Sequence, residues 1–555
     1  MLFDAAFLFG VLVFALLVHH TALSPESAGT RYILSDAQQL VTFAAALDHP
    51  EAFAADPVFS APENFGWYKS IHVPLIRWLA NGRDYGLAYE KLTGLHQFLH
   101  LGGFYLLGLC FLRQRWLAAV FAIAVSLEFW FGWGEYWGSL RAAVPLPRVS
   151  YTALFSLLCA AMLLARRNYR LWPPIFLGMG LLVYVHAISA LGMGFAMWLG
   201  LCCLNPAGFD RARHIRHMLL AGLCFVLPAV PFSVNFLEYA VTGKANAGLG
   251  AEDLLFLRAI ATYRIEEIFT RLGPQLLEFL ARISLAPPIL PLALAGVWAT
   301  LRYGGQKDRE ILHMLALWTL GIALVVAAFA VDHEIARRLG RTPLEYDMVR
   351  AIRFIAFFCF IPAFLGFSIC WERGILQERF AFARYLPACL ITGVLVLFLI
   401  QGVVRPVFFL VFPLTSDRES AVAQELADAG LVGALKKHTP AGARIFLEDG
   451  NYLVRYAALR NLVFSQKDGV ILLMAKNIAA LRTWYELAQK VGDEEQFGFD
   501  TRHEPDDENK KLLVECAVQA GAEYLVVKTP ASLAYLQTAG KIIWNNTHYI
   551  MLRLP

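Results

Sequence analysis

The chain has 555 residues, of which 58% are apolar and only 17% charged, with a mean hydropathy of +0.52. Soluble domains carry about 25% charged residues, so a wholly soluble protein is excluded, and a net charge of +4 over this length gives no reason to expect nucleic acid as a partner. The length allows a membrane domain and one further domain.

The first segment, Leu2 to Leu23, has no basic stretch before it, and its apolar run is too long for a signal peptide. It reads as an uncleaved span. A helix needs about 20 apolar residues to cross the hydrocarbon core, and about eleven spans are expected: 2–23, 94–112, 116–134, 149–165, 171–186, 187–204, 218–236, 283–301, 311–331, 351–371 and 385–410. Alternate loops are basic: Arg113 and Arg115; Arg166, Arg167 and Arg170; Arg211, Arg213 and Arg216; Arg302, Lys307 and Arg309; Arg373, Arg379 and Arg384. Basic loops stay in the cytoplasm. The N-terminus is then inside, and the loop 24–93, the loop 237–282 and everything after residue 414 are outside. Eight of the cysteines fall in apolar segments, and no CxxC or Cys/His cluster points to zinc.

In the loop 24–93, Ser35-Asp36-Ala37-Gln38 has the form of a capping box, with Ser35 capping a helix and Gln38 reaching back. Leu40, Phe43, Ala44 and Leu47 then fall on one face, which predicts an amphipathic helix lying on the membrane surface. Asp36 sits in its first turn, where the helix dipole favours a carboxylate. The Asp56-Pro57 turn and His72, just before a second amphipathic stretch, are accessory candidates. The second outer loop offers Glu135 between Trp133 and Trp137, two residues expected to anchor at the interface, and then Arg148. His186 falls at the tight turn within 171–204. The segment 332–350 breaks the charge rule, because Arg350 follows three further arginines on the outer side and Arg353 lies just inside the next span. Its two readings are a charged loop balanced by acids and a phosphate site near the outer surface. Charged groups at membrane depth pair with one another or line a cavity.

After residue 415 the pattern changes. A helix over 418–437 leads to short strands at 444–447 and 462–465, helices at 477–491 and 508–520, a buried-type strand at 523–528, and a terminal hairpin from 542–544 and 549–552. This is a small α/β domain without a glycine-rich phosphate loop. The fold class is therefore mainly α: a polytopic domain over 1–414 and an extracytoplasmic α/β domain over 415–555.

Several stretches resemble the GT-C superfamily of polytopic glycosyltransferases, more narrowly its bacterial members. They are SDAQQLVTFAAALDHPEAFAADPVF after the first span, PRVSYTALF at the entry of a later one, VYVHAISAL at the histidine turn, DMVRAIRF before a late span, and LKKHTPAGARIFL and VRYAALRNLVFSQKDG in the terminal domain. The resemblance covers nearly the whole chain. It implies transfer of a sugar from a polyprenyl-phosphate donor to a glycan, lipid or protein acceptor outside the cytoplasm, in the plasma (inner) membrane. It implies that the first-loop carboxylate at the transfer centre is Asp36 and that the second-loop acid is Glu135. Many members carry paired acids in one loop. This chain has no adjacent pair after its first span, which leaves the use of a divalent cation open. Arg148, Arg350 and Arg353 are then candidates for the donor phosphate, since a guanidinium binds phosphate oxygens in a bidentate way. The rival reading is a transporter or scaffold of envelope polysaccharide assembly. A transporter should show paired repeats with broken helices, and no such repeat is legible.

Overall fold

A computed structural model of the chain describes residues 2–22, 36–127, 129–130, 136–138, 146–203, 210–237, 250–253, 255–257, 259–260, 272–285, 288–339, 351–379, 385–398, 416–491, 507–529 and 533–555. The fold is mainly α, and the chain divides into two compact units.

The first unit comprises Met1–His19, Thr93–Ser233 and Ile265–Phe412. Its helices occupy the places where apolar runs predict spans: Leu2–Ala22, Leu92–Phe111, Arg115–Ser126, Pro147–Ala165, Trp172–Leu181, Ala187–Cys203, Arg211–Leu237, Ile289–Tyr303, Gln306–Leu339, Arg353–Glu372 and Leu386–Phe398. Among the described residues, four helices are long and apolar enough to cross a membrane, or five if one bent pair counts as a single span. The span expected over 116–134 is shorter than that. Its helix ends at Ser126, and Phe129–Trp130 then pairs antiparallel with Tyr136–Trp137. Trp137, expected as an interfacial anchor, is instead buried. Its indole N–H donates to the Val125 carbonyl at 2.9 Å and its ring stacks on Phe357. A buried indole requires such a partner, and the end of a helix supplies a spare carbonyl.

Close helix contact depends on small residues. The helices 289–303 and 353–372 cross at Gly296 and Gly366, where a Cβ on either would collide with the backbone of the other helix. The basic loops gather at one end of this unit. Arg115 pairs with Asp4 at 2.7 Å, Arg113 with Asp308 at 2.9 Å and with Glu372, and Arg166 and Arg167 both with Glu310. The Arg213 guanidinium lies over the Tyr169 ring, which also packs on His217. All six of the ends assigned to one side by charge alone, the N-terminus included, thus take part in these contacts.

The second unit comprises His20–Leu92, Val234–Arg264 and Pro413–Pro555. Its five-stranded sheet runs in the order Asn461–Leu462, Arg444–Leu447, Tyr524–Lys528, Tyr549–Arg553, Lys541–Asn545. The first three strands are parallel, and the last two form an antiparallel hairpin on them. Buried runs such as Tyr524–Val527 are typical of strands covered on both faces. The helices Ser416–His438, Ile478–Val491 and Asp507–Gln519 fall where the periodicity predicts them.

The helix Asp36–Asp48 does not lie on a surface as its amphipathic pattern predicts. Leu40, Val41, Thr42, Phe43, Ala44, Ala45 and Ala46 are all buried, while Leu47, placed on the apolar face by spacing, is 38% exposed. The reason is its alanines. They let the helices His72–Ala80, Tyr85–Glu90 and Leu453–Tyr456 pack around it. Gln38, expected to reach back to Ser35, donates instead to Asn451 Oδ1 at 3.2 Å. Ser35 lies outside the described residues.

Candidate functional site

Two groups of buried polar residues stand out, one in each unit. In the helical unit, four helix starts meet at the end away from the basic loops. Arg353 opens the helix 353–372 and is 4% exposed. Its Nη2 donates to Ser189 Oγ at 2.7 Å. Arginine has no acceptor, so Ser189 Oγ accepts here and its own proton is free for His186 Nδ1, 2.9 Å away. The Ser189 backbone N–H points at the same nitrogen, at 3.3 Å. His186 Nδ1 is therefore the lone-pair nitrogen, and the three residues form a directed chain from Arg353 to His186. Beside Arg353, Phe354 packs on Tyr151 and Phe155 of the helix 147–165, which fixes the entry of both helices.

That neighbouring helix begins Pro147, Arg148, and Arg148 is half-buried there. Two residues on, Ser150 Oγ lies 2.6 Å from His96 Nε2. His96 belongs to a stripe that sequence reasoning missed. Thr93, His96, Gln97 and His100 recur at helical spacing on the helix 92–111, and all are at least nine-tenths buried. His100 Nδ1 lies 2.9 Å from Ser126 Oγ, which itself donates to the Ala122 carbonyl, so His100 is the donor to Ser126. The signal was in the sequence: polar residues at i, i+3, i+4 and i+7 in an apolar run mark one wet face of a span.

In the second unit the centre is Arg455, which is fully buried. It binds both Asp56 oxygens, at 2.8 and 3.1 Å, and both Asp468 oxygens, at 2.6 and 3.0 Å, and it also donates to the Leu462 carbonyl. Its guanidinium packs against the rings of Phe59 and Tyr452, which meet edge to face. Burial alone would lower its pKa, but Asp468 and Asp56 outweigh that and raise it, so it stays charged. Asp56 also accepts from the backbone N–H groups of Val58, Phe59 and Leu462. Asp56, an accessory candidate from the Asp-Pro turn, is thus the joint between the first loop segment and the terminal segment. Asn64 and Asn477 add a second tie at 3.1 Å. Nearby, Asp253 is held below the usual carboxylate range by its hydrogen bond from Arg482.

The remaining candidates fall as follows. Asp36 is the first residue of its helix, and its side chain lies outside the described set, as do Glu135 and Arg350. His72 is buried at the start of the helix 72–80, with Nδ1 3.0 Å from Ser70 Oγ. Arg353 and His186 are brought together through Ser189. Among the described residues no group of three or more His, Cys, Asp or Glu side chains could hold a metal ion.

No family model matches the chain, and no curated protein does. Among solved structures the chain is similar to ArnT from Cupriavidus metallidurans in the apo state, with 13% identity, 99% of this chain and 98% of that chain covered, and a TM-score of 0.40. It is also similar to ArnT from the same organism bound to undecaprenyl phosphate, with 11% identity, 98% and 97% coverage, and a TM-score of 0.35. Both likenesses run nearly the length of both chains.

Proposed function

We propose that the chain is a membrane glycosyltransferase that moves a sugar from a polyprenyl-phosphate donor to an extracytoplasmic glycan, lipid or protein acceptor. The observation that supports this most is Arg353, a nearly buried cation held by the Ser189–His186 relay at the polar end of an apolar bundle. A departing lipid phosphate develops charge, and a cation fixed in advance in a low-dielectric site stabilises it without reorganising. Arg148 and Arg350 are proposed to share that task. Asp36 takes the acceptor hydroxyl proton as general base or orients that hydroxyl, and Glu135 is the second acid. The residues 415–555 form the domain that binds acceptor or a partner protein.

Replacing Arg350 and Arg353 together by Gln is expected to weaken binding of a polyprenyl-phosphate sugar far more than it lowers the melting temperature of the purified protein. Unchanged donor affinity in a protein that has lost stability would make these arginines structural, and the donor site would lie elsewhere.

The orientation is proposed from charge: the basic loop end faces the cytoplasm and the terminal domain lies outside. A cysteine introduced at Asp506 should react with a membrane-impermeant reagent on intact spheroplasts. Labelling only after lysis would reverse the topology.

A further inference from the structure

The basic end of the bundle carries a feature with no part in sugar transfer. A cavity of about 440 Å³ opens at the start of the helix 306–339, lined by Gly304, Gln306, Arg309, Glu310 and His313. Four of these residues recur at i, i+3, i+4 and i+7, so they form one face of the first two turns. The single acid among them, Glu310, is already matched by Arg166 and Arg167. The local balance is therefore positive, and the Arg309 guanidinium has no ion pair or hydrogen bond among the described residues. The same helix face continues through Leu320 and Leu324, which are 48% and 45% exposed. The face thus begins polar and basic and becomes apolar further along the span.

We propose that this face binds one anionic phospholipid, with its phosphate in the cavity against Arg309 and the imidazole of His313, and its acyl chains along Leu320 and Leu324. Charge selects an anionic over a zwitterionic headgroup, and basic pockets at the ends of spans are suited to such groups. The apolar flank selects a lipid over a free phosphate. The site lies at the opposite end of the bundle from Arg353, so it is independent of the transfer reaction.

The test uses the full chain purified in detergent and native mass spectrometry with phosphatidylglycerol, phosphatidylcholine or sn-glycerol 3-phosphate. One phosphatidylglycerol should be retained in preference to phosphatidylcholine, and glycerol phosphate should not displace it. Arg309→Gln should weaken phosphatidylglycerol retention about fivefold, the factor expected for one cation facing an anionic headgroup. Arg309→Lys should keep most of it, and this variant also decides the matter if the Gln variant folds poorly. Arg338→Gln, an exposed arginine paired with Glu334 near the far end of the same helix, should change nothing. Equal retention of the two lipids, or wild-type retention in Arg309→Gln, overturns the proposal. Displacement by glycerol phosphate overturns the lipid assignment in favour of a free phosphate.

Discussion

Asp36→Asn is expected to lower sugar transfer by about 10²–10⁴-fold, the usual worth of a general base or orienting carboxylate. The amide keeps the size of the side chain but loses its charge and basicity. The substitution should leave the fold intact, because the helix 36–48 is held by its buried residues from Leu40 to Ala46 and by Gln38 on Asn451, and not by its first residue. The informative measurement is initial rate with a polyprenyl-phosphate sugar on purified protein whose melting temperature matches wild type. The loss should fall on kcat more than on KM, because a proton acceptor acts in the transition state. Transfer within a few-fold of wild type would reject Asp36 as the base. Loss of both transfer and folding in Asp36→Asn would make Asp36 a structural residue, because Asn caps a helix as well as Asp does and a lost cap would not explain it.

The second large effect concerns stability. Arg455→Met leaves Asp56 and Asp468 buried without their cation, and breaking a buried pair in this way typically costs about 3–5 kcal/mol. Asp56→Asn should also be severe. One amide oxygen can still accept from Val58 and Phe59, but the amide nitrogen would then face two donors, Arg455 Nε and the Leu462 N–H. Thermal melts followed by intrinsic fluorescence check both variants. The two losses should not add, because both act on one network. A double variant that loses the sum of the two single losses would show that Asp56 and Arg455 are not coupled.

Helix placement was legible from apolar runs, and the terminal sheet from short β-branched strands between turn residues. Local pattern failed where tertiary packing decides. The apolar stripe of residues 40–47 is compatible with either a membrane surface or a protein interior, and only the neighbouring helices choose between them. Trp137 was read from its position near a span end, yet a spare carbonyl at Val125 drew it inside. The Asp56–Arg455 pair joins residues 399 apart, and one sequence holds no record of which distant charges meet. Arg353 and His186 were each singled out, but Ser189, which links them, is a common residue in spans and carried no signal by itself. His96 and His100 are readable from their helical spacing with Thr93 and Gln97, because polar residues at that spacing in an apolar run mark one face.

The long reach of that buried joint also sets an order of assembly. Asp56 emerges early from the ribosome, and its partners Arg455 and Leu462 follow about 400 residues later. At about 5–20 residues per second that interval is on the order of 20–80 s. Throughout it the segment carrying Asp36 lacks the terminal residues that fix its helix, Asn451 among them. The proposed base is thus put in place only by the last quarter of the chain, and a nascent or truncated protein already inserted in the membrane would be unable to spend donor lipid.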